Sequence, residues 1–230
     1  MQYTPRTISF LAELLHPPLV ADPAPIQRIH NQLFQSKSPA YASFAVRPDG
    51  AVLSNPAQRP GTESSATFLG DRILFKEENT GLSLDEFIER IEQIVELTTR
   101  EKKLQIFTGQ AITVRSLINP KHFSDSRTFI KSGVCGFSNE SMNFGREPQL
   151  VGLRLVFPPT PEEPQAYALR IESFANDPRS VFVENQGTFG PSMIQGAAQD
   201  IAAKIRATYA FLTERSLAFL AQFDQRESQA

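Results

Sequence analysis

Residues 83–118 read SLDEFIERIEQIVELTTREKKLQIFTGQAITVRSLI, and this stretch decides the fold. Ser83 and Glu86 have the spacing of a capping box, in which hydroxyl and carboxylate each satisfy a backbone N–H of the first helical turn. Leu84, Phe87, Ile88, Ile91, Ile94 and Val95 then recur at helical spacing and form an apolar stripe along one side. Arg100 through Lys103 close the helix with positive charge, the sign its C-terminus favours. From Leu104 to Ile118 the pattern becomes that of a long strand. A one-striped helix that returns directly to a strand must lie against a sheet, which predicts an antiparallel sheet covered on one face by helices.

The segments before and after repeat this plan. Upstream, Thr7–Leu15 alternates as a strand and is stopped by His16, Pro17 and Pro18. Asp22 followed by Pro23 is a helix start, with Ile26, Ile29, Leu33 and Phe34 on one face. Tyr41–Val46, a turn at Pro48-Asp49-Gly50, and Ala51–Ser54 give two strands. After a loop over Asn55–Ser65, Ala66–Glu77 reads as one longer strand. Downstream, Asn119 and Pro120 signal a helix reaching to about Lys131. A loop with Gly133, Gly136 and Gly145 leads to strands at Leu150–Phe157, Ala166–Phe174 and Ser180–Gln186. A closing helix carries Ile201, Ile205, Leu212 and Phe219. The fold class is α+β: a single domain over 1–230, with pseudo-repeated β-α-β-β-β-α halves at 1–103 and 104–230. The halves match in order rather than in residues, about 95 residues apart, too long a period for a solenoid.

Composition excludes several function classes. Lysine and arginine number 23 against 25 acidic residues, for a net charge of -2. That balance offers no basic field to release phosphate counterions and argues against nucleic acid as a partner. The one cysteine, Cys135, cannot form an intramolecular disulfide, which fits a reducing cytoplasm. Met1 to Arg6 lacks a signal-peptide pattern, and no apolar run reaches the ~20 residues needed to span a bilayer. A cytoplasmic protein without membrane attachment is expected. Eighteen Phe and no Trp make phenylalanine the main source of core volume.

Catalytic and metal motifs are absent. His16, His30 and His122 have no metal-ligand spacing among themselves or with Cys135, so no metal site and no cofactor are expected. There is no nucleophile elbow, P-loop or dinucleotide fingerprint. Cys135 has no base nearby in sequence, although a thiol and an imidazole such as His122 need meet only in space. No catalytic residue is assigned.

The polar side of the later strands is the most informative feature. Alternation sets Leu153, Leu155 and Phe157 opposite Arg154, Tyr167, Leu169 and Ile171 opposite Arg170 and Glu172, and Val181 and Val183 opposite Glu184. With Arg115 on its own strand, Arg154, Arg170, Glu172 and Glu184 would form a charged lattice on the uncovered face. Such a lattice can be a set of solvated cross-strand ion pairs, worth ~0.2–1 kcal/mol each. The less favoured reading is a groove whose arginines receive an anionic group, floored by Phe174 and Phe182. The loop Gly133–Gln149 is a second candidate surface, with Phe137, Phe144 and Arg146 among small and polar residues. The end of the last helix, with Phe211, Phe219, Leu220 and Phe223 on more than one side, suits either a partner seam or a deep core.

The strand ending Arg115-Ser116-Leu117-Ile118-Asn119, the Gly152-Leu153-Arg154 strand, the early strand before two prolines, the capped central helix and the long last helix together resemble an uncharacterised, sporadically distributed bacterial family of about this length. The resemblance spans most of the chain and implies no established activity, cofactor or catalytic residue. Its patchy occurrence implies an accessory or defence-type role. The expected function is therefore non-enzymatic binding or assembly, with a protein partner or self-association, through the polar sheet face and the glycine-containing loop. A sensor of an anionic small molecule, with a cleft between the halves, is the alternative. An enzyme without a recognisable motif comes third.

Overall fold

The structure, a computed structural model, describes residues 3–20, 22–35, 39–138 and 144–225. The first half consists of strand β1 (Arg6–Leu15), helix α1 (Ala24–Phe34), strands β2 (Ser43–Arg47), β3 (Gly50–Ser54), β4 (Glu63–Phe68) and β5 (Arg72–Glu78), and helix α2 (Leu84–Glu101). The second half has β6 (Ile106–Phe107), β7 (Gly109–Ile118) and α3 (Ser126–Thr128), which runs on as a π-helical turn, Phe129–Val134. It continues with β8 (Gly152–Phe157), β9 (Ala166–Ser173), β10 (Val181–Phe189), β11 (Ser192–Met193) and α4 (Ala197–Ala210), which passes through a π-helical turn (Phe211–Ser216) into α5 (Leu217–Ala221).

Nine strands form one antiparallel sheet in the order β2-β3-β4-β5-β1-β7-β10-β9-β8, and β6 and β11 make a small ribbon beside it. In each half the first strand lies next to the last, and the others step outward in reverse. The two first strands pair with each other, Phe10 opposite Val114 and Leu14 opposite Gln110, so one sheet crosses both halves.

The first half has one strand more than expected. Ala66–Glu77 is not one strand but the meeting of β4 and β5, paired Phe68 with Ile73 and Ala66 with Phe75. Leu69 N–H donates to the Arg72 carbonyl at 2.9 Å, so Gly70 and Asp71 form a two-residue turn, a short hairpin signal hidden in an otherwise continuous apolar pattern. The half is therefore β-α-β-β-β-β-α. The helix start expected at Asn119-Pro120 is also displaced. The cap is Asp125, whose Oδ1 accepts from Arg127 N–H at 2.8 Å and Thr128 N–H at 3.3 Å, while Asn119 accepts from the Ser180 hydroxyl instead.

Helix α2 begins with the capping box read from sequence: Glu86 N–H donates to Ser83 Oγ, and Ser83 N–H donates to Glu86 Oε2 at 2.7 Å. Its stripe of Phe87, Ile88, Ile91, Ile94 and Val95 is buried, with Phe87 stacked on Phe10 of β1 at 5.0 Å. Helix α4 approaches β10 so closely that a Cβ at Gly187 would lie 2.6 Å from Thr208 Oγ1. The π-helical turn after α4 rotates the buried face, so that Phe211 and Leu212 precede Leu217 and Leu220 in the core. Phe211 stacks on Tyr167 at 4.1 Å and Phe219 packs on Phe223 at 5.2 Å. The many-sided apolar end of this helix thus meets its own chain. Helix α1 packs on β2 and β3, α4 on β7 and β10, and α2 between α1 and α4. No described helix is long and apolar enough to cross a membrane.

Candidate functional site

Strand parity divides the sheet into a covered and an open face. Phe10, Ala12 and Leu14 of β1 point to the helices with Val114, Val183 and Ile171, and all are buried. The intervening residues point away; Leu11, Glu13, Arg115, Arg170 and Glu184 among them keep part of their surface exposed, while Ser9, Thr113, Leu117 and Phe182 are buried. Pairing then aligns one row across the strands: Glu78 with Ser9, Ser9 with Arg115, Arg115 with Glu184, Glu184 with Arg170, and Arg170 with Arg154. Glu172 occupies the neighbouring row, beside Phe182 and Gly152.

The geometry joins four of the five charged residues expected on this face. Arg115 Nε donates to Glu184 Oε2 at 2.6 Å. Arg170 Nε lies 3.7 Å from Glu184 Oε1 and 3.4 Å from Glu172 Oε1. The Arg170 guanidinium also rests 4.9 Å from the centre of the Phe182 ring, a cation–π contact, and Phe182 stacks with Phe174 at 6.4 Å. Glu184 therefore lies between two guanidiniums, so an incoming anion must compete with it. Arg154 is exposed, directly opposite Arg170, and makes no ion pair among the described residues. The lattice neutralises its own charge at the centre and ends in unmatched positive charge at the sheet edge.

Beside the lattice lies a trough of about 330 Å³ over the four central strands. Leu11, Leu74 and Ala111 give it an apolar floor, and Lys76, Arg115 and Glu184 stand at its sides. The β1–β5 side carries further ion pairs, Arg72 with Glu13 at 2.5 Å and Lys76 with Glu63 at 2.6 Å. Apolar floor and charged rim together accommodate an extended amphipathic segment or a small ligand with an anionic end.

The second expected surface is elsewhere. Phe137, Phe144 and Arg146 are exposed, Phe144 at 73%, and residues 139–143 of the same loop lie outside the described residues. The contacts of this loop run to the helical layer. Phe137 N–H donates to the Lys131 carbonyl at 2.9 Å, and Lys131 lies 3.6 Å from Glu147. Among the described residues no hydrogen bond or ion pair ties Phe137, Phe144 or Arg146 to the arginine row. The two candidates are separate surfaces.

Three polar clusters escaped the sequence reading. Glu77, on the covered face, accepts from Arg90 at 2.5 Å, Ser64 at 3.0 Å and Tyr41 at 3.4 Å. Burial pushes its carboxyl above the ordinary range, against the downward pull of Arg90. Lys204 donates to Gln110 and Ser192, each at 2.5 Å, and to Asp200 at 2.8 Å, while the Ser192 hydroxyl donates to Asp200. The Asp200 carboxyl is lowered, because burial is outweighed by the bonds from Lys204 and Ser192. Asp224 accepts from Tyr3, Lys121 N–H and His122 N–H and latches the C-terminal segment to the end of β7. The signal that sequence carries for them is the Asp200–Lys204 spacing, four apart on a helix.

Burial raises the Cys135 thiol, opposite to what a reactive thiolate needs. His122 turns its ring to Asp224. His16 is buried against the Pro17 carbonyl, and burial lowers its pKa. Among the described residues no three His, Cys, Asp or Glu side chains gather as a metal ion would require. No protein-family model and no curated protein matches this chain.

Proposed function

We propose that the chain is a non-enzymatic binding or assembly protein of the cytoplasm that holds a partner on the open face of its sheet. The supporting observation is the pairing of an apolar trough with a charged row on that face. Leu11 and Leu74 remain partly exposed between ion pairs. A partner segment laid over them would bury apolar surface, stabilising by about 25 cal/mol per Å². Its polar groups would meet Arg115, Glu184 and Lys76 at the rim. The likeness to a sporadically distributed bacterial family suits an accessory or defence-type role for such a partner-holding protein, and self-association is the simplest form of it.

An anionic small molecule is the second reading, favoured by the trough volume of about 330 Å³, which falls within the size range of small-ligand sites. Affinity capture from the native cell, read by mass spectrometry, separates the two. The wild-type chain retains a partner protein that the Arg115→Ala/Arg170→Ala double variant loses. Identical protein sets from both would remove the open face as the partner surface. A thermal shift with anionic metabolites and no captured protein would favour the sensor, since ligand at ~100 times its Kd adds about 2.7 kcal/mol.

A further inference from the structure

We infer that the free edge of β8 accepts an extended acidic segment of another protein as a tenth strand, with an Asp or Glu placed opposite Arg154. Three observations converge there. The first is the direction of the backbone groups. Ser173 N–H donates to the Val151 carbonyl at 2.8 Å, and Val151 N–H donates to Ser173 Oγ at 3.0 Å. Residues 151 and 173 thus turn their main-chain groups toward each other. Antiparallel pairs alternate along a ladder, so Leu153, Leu155 and Phe157 bond to β9. Gly152, Arg154 and Val156 turn N–H and C=O outward, toward an edge with which no described strand pairs.

The second observation is electrostatic. The row Arg115, Glu184, Arg170, Arg154 alternates in sign until its last pair, where two arginines stand opposite each other. Like charges in register destabilise a sheet, and opposite charges stabilise it. Arg154 ends the row exposed, without an ion pair among the described residues. A carboxylate on an added strand would supply the missing negative charge next to Arg154. That position also makes both backbone bonds, because Arg154 is an outward-facing residue.

The third is the surface at the edge. Val156 is 65% exposed and Phe157 39%, large apolar groups on an edge strand whose defences are the single charge of Arg154 and the prolines that follow Phe157. An added strand with apolar residues on either side of its acidic one would extend the layer of Leu153, Leu155 and Phe157. Gly152 keeps this end of the edge flush, since a Cβ there would meet the Ile171 carbonyl at 2.7 Å. The opposite edge, β2, also exposes a valine and an arginine, Val46 and Arg47, but Arg47 stands opposite Gly50, so no second arginine faces it there.

Two fluorescein-labelled heptapeptides test the inference by anisotropy: Thr-Val-Thr-Val-Glu-Val-Thr and the same peptide with Lys in place of Glu. The wild-type protein is expected to bind the Glu peptide about tenfold more tightly than the Lys peptide, the preference falling with salt. Arg154→Glu should reverse that order. Val156→Pro removes an outward N–H that β9 does not use, so it should abolish binding while the melting temperature and circular dichroism hold. Equal affinity for both peptides, binding that survives Val156→Pro, or no binding below about 1 mM would overturn the inference. So would light scattering showing a dimer that Val156→Pro splits, because the edge would then belong to a second copy. Failure here leaves the open-face reading standing, since Arg115→Ala alone alters the trough while Arg170 and Arg154 at the β8 edge stay unchanged.

Discussion

The two faces of one sheet treat charge in opposite ways. On the covered face, Glu77 is sealed with Arg90, Ser64 and Tyr41 around it, and its second carboxylate oxygen has no hydrogen-bond partner among the described residues. On the open face, Arg115, Glu184, Arg170 and Glu172 share contacts in partial reach of water. A buried pair repays desolvation only with its partners in place, whereas a half-exposed pair contributes little to stability. Charge on the covered face is therefore a constraint on folding. Charge on the open face is available for recognition, because removing it costs the fold little.

That contrast is sharpened first where the covered face is purely apolar. Phe87→Ala removes a fully buried ring stacked on Phe10 and should cost about 3–5 kcal/mol in urea denaturation. Leu11→Ala on the open face should cost well under half of that. Next comes Arg90→Ala, which leaves Glu77 buried without its cation. A loss of roughly 3 kcal/mol is expected, and a loss below 1 kcal/mol would show that Glu77 is not held as the geometry indicates.

A smaller effect tests the same carboxyl by pH. Its folded pKa is raised by burial, so the protonated form favours the fold. The stability that Glu77 contributes is whole below its unfolded pKa, about 4.3, and is lost as pH rises through the folded value. Glu77→Gln does not titrate, so wild type should lose ground relative to this variant as pH rises through that window. A gap that widens in favour of wild type would contradict the assignment. The smallest effect belongs to Arg115→Ala, with a stability change of about 0–1 kcal/mol against loss of partner capture.

Much of this contrast was legible in the sequence. Strand parity placed Arg115, Arg154, Arg170, Glu172 and Glu184 on the face opposite Leu169, Ile171 and Val183, because side-chain alternation is local and needs no knowledge of neighbours. The capping box at Ser83 was equally local. What parity could not supply was register. Only the pairing shows that Glu184 sits between Arg115 and Arg170 while Arg154 is left at the edge. The β4–β5 turn was missed because Gly70-Asp71 interrupts a pattern that reads apolar on both sides. Glu77 stood unnoticed at the end of an apolar strand, and its partners Tyr41, Ser64 and Arg90 come from separate elements. The loop bearing Phe137, Phe144 and Arg146 had composition but no periodicity, so nothing local tied it to either face.

Accessibility of the two faces can be read directly from single cysteines placed in a Cys135→Ser background. Gln186→Cys and Val183→Cys put a thiol on opposite sides of β10, one beside the trough and one in the core. With a maleimide under native conditions, the first should react as fast as an unfolded control. The second should react only at the rate of unfolding. Comparable protection at both positions would mean that the open face is covered, and the face proposed to receive a partner would not be free to do so.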